Sequence, residues 1–438
     1  TMFLLFLAEP EAETLSLKES AERILGIPPT EQNQLREHLI SRGVITASQK
    51  HWGDAICKGD GGVVGTYAKQ DVALTWRLFQ HLWPIVCEQG MMLKSYEREL
   101  ALTPILMRNE EQGIRVDMNN LEADYVDFTR EFDKADEELR KALNAPGLNL
   151  NAAHAVVEAL RAAGVVTKFP KTEKGNDSIS KAELHPSMFA NERVAQVWGY
   201  RSRLKTCLST FYRPWIEMAS SNDGWLHNNW NQVRNAEKGA FGGTRTGRLS
   251  SFAPNYLNVP KAWDDKNDGY VHPAGFRELP LMRRYLLPDE GGHWVHRDWD
   301  QQEIKILAHY TGGPLMLKYQ ENPKLDVHEF MRQLILQATG LDLPRRQVKI
   351  AVFAILYGRG IKEMARKMEC SEDTARKIRE ALRASVPGLG NLEDTLRRRA
   401  RQGQPLRTWG GRLYYCEKPK VIGTKKQTFE YSASFPNY

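Results

Sequence analysis

Cysteine is sparse in this chain: five residues in 438, Cys57, Cys87, Cys207, Cys370 and Cys416. They lie far apart and form no C-x-x-C pair, which excludes a disulfide-framed mini-fold and offers no zinc or dithiol motif. Such spacing fits a reducing, intracellular compartment. Long hydrophobic runs are missing too. The opening TMFLLFLAEP is apolar for only a few residues and has no basic segment before it, so it reads as neither a secretory signal nor a membrane span. The chain starts at Thr1 in mid-pattern, as a fragment of a longer protein would. No internal repeat and no low-complexity tract is present, which excludes a repeat array; clusters of Gly, Pro, Asn and Asp mark turns instead.

What remains is a chain long enough for two to four compact units, with 41% apolar residues to build their cores. Its formal net charge of +7 favours a polyanionic partner, and nucleic acid leads that class. GDGGVVG (59 to 65) reads as the first break. From Met91 to about Asn144 the pattern is helical, and Leu121, Tyr125, Phe128, Phe132, Ala135, Leu139 and Ala142 keep a heptad-like spacing of 4 and 3. That seam fits a protruding helical hairpin and, equally, an amphipathic helix packed on a core. TKFPKTEKGNDS reads as a loop, and Asn235 to Pro280 as a longer irregular region.

Three stretches carry chemistry. In RRQVKIAVFAILYG (345 to 358), Arg345, Lys349, Phe353 and Tyr357 recur every four residues. Pro344 suits a helix first turn, and Asp342 can cap it. The stripe then runs roughly 18 Å at 1.5 Å per residue. Cations at the positive end of a helix suit phosphates, and flat rings beyond them suit a base; a basic helix edge with two core aromatics is the plainer alternative. In HWVHRDWDQQEIKILAHY (293 to 310), a short run that can be a strand ends at Asp298 before an apolar-periodic helix. A strand-end Asp is a hard oxygen ligand of the kind Mg²⁺ prefers, or simply the cap of the next helix. TRTGRLSSFAPNYLNVP (244 to 260) is a turn-rich loop in which Arg248 can reach a phosphate or a base edge.

Taken in order, TGRLSSFAPNYLNVP, DWDQQEIKILAHY and RRQVKIAVFAILYG resemble three signatures of the DNA polymerase I family, family A. Those signatures run T-G-R-L-S-S-x-x-P-N-L-Q-N-[IV]-P, D-[YF]-S-Q-I-E-L-R and R-x-x-x-K-x-x-x-[FY]-x-x-x-Y-G. WLHNNWNQ (225 to 232), DVH (326 to 328) and TWGGR (408 to 412) extend the likeness over nearly the whole chain, and its style is closest to bacteriophage members. The resemblance implies a largely helical α+β right hand. Residues 1–90 would be a remnant of a ribonuclease H-like 3′–5′ exonuclease domain, 91–224 the thumb, in which the 4-and-3 seam would belong to a protruding hairpin that grips duplex, 225–310 an incomplete palm and 311–438 the fingers.

The resemblance also implies roles. Asp298, with the Trp299 carbonyl, would hold two catalytic Mg²⁺ ions. Arg345 and Lys349 would bind the triphosphate, with His328 assisting and Gln301 among the nucleotide-binding residues. Glu303 would exclude a ribose 2′-hydroxyl, Phe353 would stack near the incoming sugar and base, and Tyr357 would support the templating pair. Arg248, Asn255 and Asn258 would contact the primer-template. In YAKQDVALTWRLFQHL (67 to 82), Tyr67 and Asp71 resemble the last exonuclease motif, degenerate without its companions. The implied setting is a monomer acting on primer-template DNA and deoxynucleoside triphosphates away from membranes, in the cytoplasm, or the host cytoplasm if phage-encoded.

Departures qualify these expectations. Asp300 replaces Ser, Gln302 replaces Ile, Lys305 replaces Arg and Leu257 replaces Gln. No His in these residues precedes Asp-Glu, the turn that bears the family's second metal-binding Asp, so the sequence holds half of a two-metal centre and the fragment is expected to be truncated at both ends. Two other readings stay open. One is a non-catalytic DNA-binding descendant of a polymerase. The other is a single-subunit RNA polymerase, which needs room for the 2′-hydroxyl where Glu303 stands.

Overall fold

The structure is a computed structural model that describes residues 1–10, 12–172, 175–180, 184–234, 242–244, 246–262, 270–368, 370–416, 420–422 and 428–430. In chain order its principal elements are α1 (Met2–Ala8), α2 (Leu17–Leu25), α3 (Thr30–Ser41), α4 (Gly61–Glu88), α5 (Gly90–Gln112), β1 (Ile114–Val116), α6 (Met118–Ala142), α7 (Ala153–Ala162), α8 (Glu192–Thr206) and α9 (Arg213–Ser220). There follow β2 (Trp225–Leu226), β3 (Asn229–Asn231), β4 (Ser250–Phe252), β5 (Leu286–Leu287), α10 (Gln302–Thr311), α11 (Gly313–Glu321), α12 (Val327–Thr339), α13 (Arg345–Leu356), α14 (Ile361–Met368), α15 (Glu372–Ser385), α16 (Gly388–Arg401), β6 (Leu406–Arg407) and β7 (Leu413–Tyr414). Helices dominate and the strands are short, as expected of a largely helical α+β chain. Among the described residues no helix is long and apolar enough to cross a membrane.

The chain divides into two compact units, residues 1–103, 232–248 and 296–438 in the first and 104–231 with 249–295 in the second. In the first, Leu4 to Leu7 of α1 are all buried against the stripe Leu74, Leu78, Leu82 and Val86 of α4, which explains the apolar opening as core. The chain breaks at Gly59 and Asp60, as the glycines suggested, and Asp60 accepts from the Gly62 N–H at 2.9 Å, so the rest of GDGGVVG is already the capped first turn of α4. A separate core joins α10 to α16 through Ile304, Val327, Met331, Val348, Ala351 and Ile378.

The second unit corrects two expectations. The helical pattern from Met91 to Asn144 is interrupted at Gly113, whose φ is +66 and where a Cβ would come within 2.7 Å of the Leu226 carbonyl oxygen. That turn admits β1, which pairs antiparallel with β2 (Ile114 opposite Leu226) and β5 (Val116 opposite Leu286). The 4-and-3 seam of α6 is the inner face of an amphipathic helix. Leu121, Phe128, Ala135 and Leu139 are buried with Tyr200, Tyr212 and Trp215, while Ala142 is exposed and Leu143 takes the buried place.

The strand expected before Asp298 is also absent: residues 292–299 form no regular element. A strand exists only through a partner ladder, and none of the described strands pairs there.

Candidate functional site

Helix α13 sorts its side chains by period. Val348, Ala351, Val352 and Ile355 are buried in the core, and the stripe of Arg345, Lys349, Phe353 and Tyr357 falls on the other side. Phe353 is half-buried, Tyr357 is 37% exposed, and their rings are stacked at 6.1 Å and 14°. The plainer alternative of two core aromatics is thereby excluded. The expected cap is corrected as well: Pro344 is itself the N-cap, and Asp342 pairs with Arg332 instead.

An open cavity of about 610 Å³ is lined by Asp298, Glu303, His328, Arg345, Lys349 and Phe353, with Trp299, Asp300 and Gln301 beside them. Asp298 is exposed, and its Oδ1 accepts the Trp299 N–H at 2.9 Å. It does not cap α10, because the residue before that helix is Gln301, in the left-handed region at φ 53. Gln301 keeps this uncommon conformation through its side chain: Nε2 donates to the Leu325 carbonyl at 2.9 Å, and Oε1 accepts from Tyr319 Oη at 2.9 Å. Its amide is committed to holding the 298–301 turn against the start of α12. Asp300 and Lys305, two of the departures, answer each other across 3.7 Å, so the extra carboxylate has a counter-charge.

Glu303 is a junction. Its Oε1 accepts from Arg248 Nη2 at 3.0 Å and from Tyr357 Oη at 2.5 Å. Burial and the Glu303 carboxylate both push the Tyr357 phenol up, so its proton stays available to donate. His328 is buried, its Nδ1 has no hydrogen-bond partner, and its ring is tilted on Phe353 at 6.2 Å. Burial, reinforced by the Arg345 cation, holds its pKa below the usual imidazole value and favours the neutral ring.

Comparison with known proteins places this geometry. The model for "DNA polymerase family A" matches residues 118–434. The chain belongs to the family A DNA polymerases. It is 27% identical over 425 residues to the thermostable DNA polymerase I of Thermus aquaticus, covering 96% of this chain and 47% of that protein. Phage relatives include the DNA-directed DNA polymerase of Pseudomonas phage M6, at 26% over 331 residues, covering 70% of this chain and 45% of the relative. Another is the DNA polymerase DpoZ of Salmonella phage PMBT28, at 28% over 325 residues, covering 69% and 48%. The chain spans about half the length of these curated relatives. Among solved structures, the POL domain of Pol1 from M. smegmatis, in complex with DNA primer-template and dNTP, matches with a TM-score of 0.70 at 20% identity, covering 94% of this chain and 64% of that one. This likeness gives the chain the polymerase-domain fold.

The family A polymerase fold brings Asp298, Trp299, Gln301, Glu303, His328, Arg345, Lys349 and Phe353 to one cavity, with Tyr357 and Arg248 joined to it through Glu303. Asn255 and Asn258 lie in the other unit. There Asn255 Oδ1 accepts the Leu257 N–H at 3.0 Å, while Asn258 and Leu257 are exposed. Metal dependence is general in the family. Asp298 offers an accessible hard oxygen donor of the right kind, but among the described residues no three His, Cys, Asp or Glu side chains cluster to hold a metal.

Tyr67 and Asp71 do lie one turn apart on α4, yet their surroundings do not suit a cation. Lys18 of α2 is buried, forms ion pairs with both Asp71 and Glu31, and sits 4.8 Å over the Tyr67 ring. Burial works to lower the Lys18 pKa, but the two carboxylates outweigh it and hold the ammonium above its usual value. The lysine supplies the positive charge that a metal would bring.

Sequence reading missed Lys18 and Asp326. Asp326 was legible as a helix cap, standing before VHEFMRQL with Glu329 at the third position. Its second partner, Arg345, was not.

Proposed function

We propose that this chain forms the nucleotide- and primer-template-binding part of a template-directed DNA polymerase, adding deoxynucleoside triphosphates to a primer 3′ end. One observation carries the reading: a single cavity gathers Asp298 from before α10, His328 from α12 and the α13 stripe of Arg345, Lys349 and Phe353, with Tyr357 stacked on Phe353 beside it. Arg345 and Lys349 bind the triphosphate, and His328, which lines the same cavity, assists them. Phe353 packs against the sugar and base, Tyr357 supports the templating pair, and Glu303 fills the place of a 2′-hydroxyl. Gln301 serves through position, fixing the turn that carries Asp298. Arg248, Asn255 and Asn258 hold the primer-template through its backbone, since a polymerase must accept any sequence.

Asp298 and the Trp299 carbonyl would hold Mg²⁺. When bound, paired ions supply charge neutralisation and activation of the primer oxygen for in-line phosphoryl transfer. The segments 1–90, 91–224, 225–310 and 311–438 are assigned as exonuclease-like remnant, thumb, palm and fingers, and the acting species is a monomer in the cytoplasm.

A second reading, a DNA-binding descendant without catalysis, is favoured by the lack of a three-ligand metal cluster among the described residues. Primer extension with the purified 438-residue chain, beside a gel-shift measurement of primer-template binding, separates the two. Binding with extension supports the enzyme. If the chain binds without extending, a longer form that carries the family's His-Asp-Glu turn decides: extension by it that Asp298→Ala abolishes supports the enzyme, and no extension supports the descendant. Loss of binding and extension removes the proposal.

A further inference from the structure

Arg345 does not wait for a ligand with its guanidinium free. Its Nε donates to Asp326 Oδ2 at 3.1 Å, and Nη2 donates to Oδ1 at 3.1 Å and Oδ2 at 2.9 Å, a two-pronged pair. Asp326 is held in turn. Its Oδ1 accepts the backbone N–H of His328 at 3.1 Å and of Glu329 at 3.2 Å, so the carboxylate is locked to the first turn of α12. The two residues lie 19 positions apart, Asp326 as the cap of α12 and Arg345 as the first residue of α13. A carboxylate beside a phosphate-binding cation is, on charge alone, a repulsive neighbour of a triphosphate.

The pair adds little stability. The Arg345 and Asp326 side chains are 57% and 47% exposed, and water screens an exposed pair of this kind. Orientation is what it supplies. A guanidinium has five N–H donors in one plane. Asp326 engages Nε and Nη2, which leaves both N–H groups of Nη1 outside the pair and fixes the plane in which they lie. A free arginine would lose that rotamer freedom on binding, which weakens affinity.

We propose that Asp326 is the positioning residue of the triphosphate site: anchored to the start of α12, it holds the Arg345 guanidinium in the plane from which Nη1 meets the phosphates. This rests on the nucleotide-binding reading above. Asp326 touches no substrate and acts wholly through Arg345.

The substitution Asp326→Asn isolates this role, because asparagine caps a helix about as well as aspartate but has no charge for the guanidinium. The experiment titrates the 438-residue chain with a fluorescent methylanthraniloyl dATP, displaces it with dATP or dAMP, and records thermal midpoints in parallel. For Asp326→Asn we expect an unchanged midpoint, a roughly tenfold weaker triphosphate affinity, equivalent to about 1.4 kcal/mol, and an unchanged dAMP affinity. In an Arg345→Ala background the same change should have no further effect, since the two residues act as one unit. Equal or tighter dATP binding by Asp326→Asn overturns the proposal. So does a loss shared by dAMP, which would mark a merely structural role, or a loss that persists without Arg345. Failure of the unaltered chain to bind dATP at all overturns the nucleotide reading itself and takes this inference with it.

Discussion

Tyr357 and Glu303 meet through a 2.5 Å hydrogen bond, phenol to carboxylate, between residues 54 positions apart. The same Glu303 oxygen takes Arg248 at 3.0 Å. The acid proposed to exclude the 2′-hydroxyl is thus fixed from two sides, which is what a steric filter requires. Glu303→Ala should relax discrimination against ribonucleotides by about an order of magnitude or more, a change of about 1.4 kcal/mol. Steady-state incorporation of rATP against dATP in a primer-extending form measures it, and an unchanged ratio would reduce Glu303 to a tether.

Asp298 should divide chemistry from binding. The cationic groups at Arg248, Arg345 and Lys349 do not depend on it, so Asp298→Ala should leave primer-template affinity within about twofold. That affinity should fall steeply with salt through counterion release. Any primer extension should be abolished. Salt-independent DNA binding, or extension that survives the substitution, would contradict the assignment.

Lys18 should behave as a structural cation. Removing it leaves the buried Glu31 and the partly buried Asp71 without their counter-charge, a change that costs about 3–5 kcal/mol for fully buried pairs and nearer 2 kcal/mol here because the Asp71 side chain is about a third exposed. Lys18→Met should therefore lower the urea midpoint. Mn²⁺ should not stabilise the unaltered chain through this cluster, so a Mn²⁺-induced rise in melting temperature that Asp71→Asn removes would show that a metal displaces the lysine.

His328 predicts a pH dependence of stability. Its folded pKa lies below the ordinary 6.5, with Arg345, Lys349, Asp326, Asp300 and the Phe353 ring around it. Above 6.5 both folded and unfolded forms are neutral and the residue has no effect. As pH falls through 6.5 the unfolded chain takes up the proton first, and stability declines until the folded pKa is passed. Asp326, whose pKa is lowered from 3.8, loses its contribution only at still lower pH. His328→Gln should flatten the fall in melting temperature between pH 7 and pH 5, and a slope equal to that of the unaltered chain would remove His328 as its source.

The sequence by itself determined what repeats locally. The four-residue stripe of α13, its buried opposite face and the apolar period of α10 follow from 3.6 residues per turn, and three motifs in order were enough to suggest the family. Tertiary structure decided which charges meet. Arg345 with Asp326, Glu303 with Arg248, and Lys18 with Asp71 join residues 19, 55 and 53 positions apart, and no periodicity connects them. The strand expected before Asp298 failed for the same reason that these pairs were invisible. A ladder, like an ion pair, is a property of two segments, and the backbone path that brings them together is set by burial of the apolar faces and not by the polar residues that then meet.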